Sequence, residues 1–142
     1  MPPKPKSRRA APRVPSTPLV PVSWGELIDK ISILEIKAER ITARRARANV
    51  RRELDALNAV AEGAGRRAGL ARLKRALRKV NEKLWTIEDE IRAKERSADF
   101  GPSFIALARS VYRTNDRRAA LKREINGLLD SALIEEKHYT RY

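Results

Sequence analysis

The sequence predicts an all-α protein: an antiparallel bundle of three to four long helices with coiled-coil-like seams, preceded by a disordered, proline-rich basic arm. Three observations carry that class. Large aliphatics recur at Leu70, Leu73, Leu77, Val80, Leu84, Ile87 and Ile91, in alternating steps of three and four that set them on one stripe of a helix. The residues between them are mostly charged, the solvated remainder of that helix. Seven of the eight prolines fall within the first 21 residues.

That opening segment, 1–21, has five basic residues and no acid; its proline density forbids helix and its low hydrophobicity cannot bury a core. The folded domain is expected over 22–142. Ser23 followed by Glu26 reads as a capping box, with Val22 and Leu27 as the hydrophobic staple. Trp24, Leu27, Ile31, Leu34, Ala38 and Ile41 then repeat the helical spacing, widened by Ile28, Ile33 and Ile36 into a stripe that faces two neighbours. The apolar phase slips after Ile41, so a turn or strong kink is expected around 43–48, with apolar positions resuming at Val50, Leu54, Leu57 and Val60. EGAGRRAG, 62–69, reads as a loop, since no strand precedes it and no Lys-Ser/Thr pair follows, as a phosphate-cradling loop requires. Phe100-Gly101-Pro102 marks the next turn, with Pro102 at the first position of the last long helix. The expected helices lie near 24–42, 49–61, 70–96 and 103–129, and the tail from Asp130 is expected as a short helical turn or an extended segment packed back on the bundle.

Composition narrows the chemistry. Cysteine is absent and His138 is the one histidine, which removes disulfides, thiolate chemistry and a multi-histidine metal site; no cofactor or metal is expected. Glu135 and His138 have the E-x-x-H spacing of di-iron bundles, but those need a second such pair and further glutamates. No run of about 18 apolar residues offers a membrane span. The first twenty residues lack the apolar centre of a secretory signal, so a cytoplasmic bacterial protein is expected. The net charge of +14 is clustered: residues 37–53 hold seven basic and two acidic residues, and 66–83 hold eight and one. Clustered charge of this kind suits a polyanion, with Arg66, Arg67, Arg72, Lys74, Arg75, Arg78 and Lys79 as candidate contacts; arginine-rich solvated helix surfaces would produce the same pattern.

The stretches GELIDKISILEIKAERI, NVRRELDALNAV, LWTIEDEIR, FIALARSVYRTNDRRAALKREIN and SALIEEKHY resemble, in this order, a family of short bacterial proteins known only as a domain of unknown function. The resemblance spans roughly residues 20–142 and leaves the arm outside. Thr42–Asn49 is arginine-rich here, where an ordinary helix-to-helix turn is expected. The resemblance implies a distinct helical domain and brings no activity or site residues.

The last helix contains the most informative irregularity. Its seam runs Leu107, Val111, Thr114, Arg118, Leu121, Ile125, Leu128 and Ala132, with two successive polar positions. A hairpin turning near residue 99 or 100 sets Arg118 level with Asn81 and Thr114 level with Trp85; an earlier hairpin near 65 or 66 sets Val50 at that level too. Asn81, Trp85, Glu88, Asn115 and Arg118 are therefore expected to form one polar layer, with Glu88 or Asp116 as partner of the arginine. Such a layer either binds an anion, since guanidinium takes carboxylates in bidentate fashion, or fixes helix register. If it only fixes register, leucine at position 118 is expected to leave stability unchanged or higher.

Three functions remain open on these grounds. The first is a non-enzymatic helical interaction or scaffold protein, self-associating or docking on another protein. The second is a nucleic-acid or anionic-surface binder using the arm and the 66–83 cluster. The third is a small helical enzyme with an Arg-lined pocket between long helices, as in the chorismate mutase type, although no motif matches residue by residue.

Overall fold

The computed structural model describes residue 11 and residues 13–142. Four α-helices and no strand are found among the described residues: α1 (Trp24–Arg40), α2 (Arg44–Ala61), α3 (Leu70–Arg96) and α4 (Pro102–Leu128). Of the arm expected over 1–21, residues 1–10 and 12 lie outside the described residues, and 13–22 are exposed without helix or strand.

The helices pair as two hairpins. The turn after α1 joins it to α2, and the Ser97–Gly101 turn joins α3 to α4. Helix α1 lies along the α3/α4 pair. Asp29 faces Asn81 and Arg40 faces Trp85, so α1 runs with α3; Gly25 faces Asn126 and Asp29 faces Arg118, so it runs against α4. The core is aliphatic: Ile28, Leu70, Leu73, Leu77, Leu121, Ile125 and Leu129, with Leu77, Leu121 and Ile125 fully inaccessible.

The seam of α3 is the most regular in the sequence, yet α1 is the helix that touches all three others. Its buried residues are Gly25, Leu27, Ile28, Asp29, Ile31, Ser32, Leu34 and Ile36, which spread around most of its circumference. Only half of the expected capping box forms: the Ser23 hydroxyl accepts from the Glu26 N–H at 3.1 Å, while the Glu26 carboxylate turns to Lys122. Val22 stays 48% exposed, so the staple does not close.

Helix α2 departs from expectation in two ways. The break falls at Ile41–Ala43, and 44–48 is helical. An absence of large apolar residues there was expected to mean a turn; arginine and alanine are strong helix formers, and this part of α2 has little to bury. Second, α2 lies along α1 and not along α3, tied by Lys30 and Glu53 at 2.8 Å. Val50 is therefore not part of the Asn81 layer. The broad apolar face of α1 offers α2 more to cover than the single stripe of α3, which α1 and α4 already occupy.

Helices α3 and α4 close with similar geometry. Ala98 and Asp130 adopt positive φ (53° and 50°), and the N–H groups of Asp99 and Ser131 reach back to Lys94 and Asn126 carbonyls at 3.0 and 2.9 Å. The left-handed residue of the α3–α4 turn is thus Ala98, since Gly101 has a φ of −74°. Beyond α4 the tail is extended and largely exposed.

The helices differ in length. Helix α1 has 17 residues, and α3 and α4 have 27 each. At 1.5 Å per residue α1 covers about 26 Å of a hairpin about 40 Å long. The buried positions stop at Ile87 on α3 and resume at Thr114 on α4.

Candidate functional site

The interface between α1 and α4 is built from charged and amide side chains at helical spacing. Arg118, Lys122 and Asn126 stand four residues apart on α4, and Asp29, Glu26 and Gly25 oppose them on α1. The first rung is a side-on pair: Arg118 Nε donates to both Asp29 oxygens, at 3.0 and 3.1 Å, and Nη2 donates to Oδ2. Asp29 is 1% exposed. Asn81 Nδ2 completes its shell at 2.9 Å, and also donates to Ser32 Oγ at 3.2 Å. The carboxylate holds the Arg118 guanidinium above its ordinary pKa through these hydrogen bonds.

In the second rung the nearly buried Lys122 Nζ donates to Glu26 at 2.6 Å and to Glu135 of the tail at 2.5 Å. Burial pulls the lysine down, but the two carboxylates outweigh it and its pKa is raised. In the third rung the Gly25 N–H donates to Asn126 Oδ1 at 2.6 Å, with Trp24 N–H donating to Ser131 Oγ at 3.1 Å. A Cβ on Gly25 would lie 2.4 Å from the Lys122 carbonyl oxygen, so only glycine permits this approach. No buried side-chain nitrogen or oxygen among the described residues lacks a partner.

The five residues expected in a polar layer line one cleft. Asn81, Trp85, Glu88, Asn115 and Arg118 surround a space of about 450 Å³ at the end of α1, over a floor that includes Ile33, Ile36 and Leu84. The partner of Arg118 is Asp29, which the sequence reading missed. Glu88 instead pairs with Arg92 at 3.1 Å, and Asp116 accepts from the Tyr142 hydroxyl at 2.6 Å. Arg118 Nη1 has a long contact to Asn115 Oδ1, at 3.5 Å. Trp85 carries Arg40 over its ring at 5.4 Å.

The basic candidates divide. Arg66, Arg72, Lys74, Arg75 and Lys79 are exposed. Arg78 binds Glu35, Glu39 and Glu82 at 3.4, 2.6 and 3.0 Å, which lifts its pKa and ties α1 to α3. Arg67 donates to the Leu128 carbonyl at 3.2 Å. His138 is exposed in the tail, and its E-x-x-H companion Glu135 is bonded to Lys122.

The tail clamp is expected to be sensitive to acid. The hydrogen bond from Lys122 holds the Glu135 carboxyl below its ordinary 4.5. A depressed carboxylate contributes stability above its unfolded pKa and loses it as pH falls through the lower folded value. Lys122, raised above its ordinary 10.5, contributes below that value and loses the contribution only at more alkaline pH. Amide resonances of residues 133–138 are therefore expected to move to random-coil positions below pH 4.5, and Glu135→Gln to release them at neutral pH. Tail resonances that ignore both changes would show that the clamp does not hold the tail.

Geometry defines the class: an all-helical domain whose two hairpins are joined by a satisfied polar ladder. The chain belongs to the Family of unknown function (DUF6165), whose model matches residues 19–142. No curated protein and no solved structure matches it. The matched range includes both sides of each rung, Gly25, Glu26 and Asp29 on α1 and Arg118, Lys122 and Asn126 on α4. No helix among the described residues is long and apolar enough to cross a membrane.

Proposed function

We propose that the protein is a non-enzymatic helical interaction module that docks through the uncovered end of the α3/α4 hairpin, with a second copy of the chain as its first partner. One observation supports this reading. From residue 88 to 113 no side chain is buried, although Ile91, Phe104, Leu107 and Val111 continue the apolar seam. Phe100 and Ile105 are 52% and 55% exposed, and Phe104 packs edge-on against Phe100 at 5.2 Å. Two such ends placed side by side complete a four-helix arrangement, whose core would take up the seam. The polar cleft supports a structural role in this reading, because its arginine is already matched by Asp29.

Sedimentation velocity across the micromolar range tests it. The chain is expected to associate, and Phe104→Glu, on the seam itself, to return it to monomer with its helical circular dichroism unchanged, since no side chain from 88 to 113 is buried. A monomer at every concentration overturns self-association through this end.

A further inference from the structure

We propose that α2 is a phosphate-binding helix that lies in the major groove of duplex DNA, with its arginines on the two backbone rails and no base-specific contact. The proposal is independent of self-association and places polyanion contacts on a different helix from the 66–83 cluster.

Arg44, Arg45, Arg47, Arg51 and Arg52 are all exposed. Among the described residues none of them pairs with a carboxylate, whereas the half-buried Arg78 and Arg118 and the buried Lys122 all do. The first turn of α2 holds no acid, and no side chain caps it. No ion pair among the described residues offsets this charge.

The shape of α2 supplies the second half of the argument. The helix has no buried residue and packs on α1 alone, apart from the short turn that follows it. Projected at 100° per residue, Val50, Leu54 and Leu57 point to α1. Arg44, Arg47 and Arg51 form one row along the flank of the helix, with Arg47 next to Leu54, and Arg45 and Arg52 form another on the outward side, roughly 110° away. Between the rows lie Ala48, Ala59 and the one acid of that face, Asp55. Two cationic rows flanking a low ridge match the two rails of a groove that admits an α-helix. The rows extend about 12 Å along the axis, enough for several phosphates.

Chemistry narrows the partner. Helix α2 has no aromatic side chain to stack on the bases of a single strand. The major groove of duplex RNA is too deep and narrow to take a helix. An anionic membrane would require an apolar face turned to the lipid, and the outward face of α2 is arginine and alanine with Asp55 among them.

Fluorescence anisotropy with a labelled mixed-sequence DNA duplex, using the full chain across a salt series, tests the assignment. Replacing all five α2 arginines by glutamine is expected to weaken binding at least about tenfold and to flatten the salt slope by about 3–4. Arg72→Gln with Arg75→Gln and Lys79→Gln, an exposed set on α3, is expected to change affinity less than about threefold. Circular dichroism confirms that both variants are folded, and the pair Arg47→Gln with Arg51→Gln is expected to give an intermediate slope. Binding that survives the α2 changes overturns the proposal, as does an equal loss in the α3 variant. Tighter α2-dependent binding to single-stranded RNA, or to phosphatidylserine vesicles, overturns the assignment to duplex DNA.

Discussion

Arg118→Leu is expected to destabilise the protein by about 3–5 kcal/mol, because it strands a charge inside the bundle. The Asp29 carboxylate is 1% exposed, and without the guanidinium it retains a single amide donor, from Asn81. Removing one partner of a buried pair costs far more than removing both, since the survivor keeps its full desolvation penalty. The double variant Asp29→Leu with Arg118→Leu is therefore expected to recover at least half of the loss. Urea melts at constant m-value provide the measurement. A single variant within about 1 kcal/mol of the parent would show that water reaches Asp29 and solvates it. The neutral or stabilising effect expected of leucine in a layer that only fixes register assumes no fully buried partner, and Asp29 is 1% exposed.

Gly25→Ala is expected to cost about 3 kcal/mol, at the upper end for an overpacked contact. The added methyl would sit 2.4 Å from the Lys122 carbonyl oxygen and 3.0 Å from Asn126 Oδ1. The first of these is backbone, so a side-chain rotation cannot relieve it. Helix α1 must withdraw from α4, which stretches the Gly25–Asn126 hydrogen bond and the Lys122–Glu26 pair above it. Alanine's better helix propensity returns only about 1 kcal/mol. Gly127→Ala is the matched control, as its Cβ would meet nothing within 4 Å. It is expected to be neutral or stabilising by up to about 1 kcal/mol. Equal melting curves for the two variants would mean that α1 and α4 tolerate wider spacing.

Much of the fold is legible from aliphatic periodicity. The seams at Leu70–Ile91 and Leu107–Leu128 delimit α3 and α4, and counting from the hairpin turn brings Asn81 and Arg118 to one level. The carboxylate between them was not read, because an aspartate beside Lys30 looks like helix surface. A signal was present: Gly25, Ser32, Ile33 and Ile36 share the stripe of Asp29, a combination of small and apolar residues that implies a facing helix. Likewise Arg118, Lys122 and Asn126 recur every fourth residue on α4, the first two opposite in charge to Asp29 and Glu26. Apart from Arg118, which falls in the seam itself, hydropathy patterns treat such residues as solvated, and only the pairing of one helix with another shows that they are interior. The start of α2 was misplaced for a related reason, since a stretch without apolar residues is silent about helix when the helix has little to bury.

The polar ladder also orders events in time. Each hairpin closes through a short turn, whereas Asp29 and Arg118 are 89 positions apart and Trp24 and Ser131 are 107 apart. Closing such long loops is entropically unfavourable until many contacts form together, so local hairpins precede their docking. The ladder is thus expected to form late in folding, after the local hairpins. Its loss is then expected to leave the rate of refolding little changed and to shorten the lifetime of the native state, which the two arms of a chevron plot measure separately. On that expectation the ladder is a latch between two halves, and the persistence of the assembled molecule depends on how rarely that latch opens.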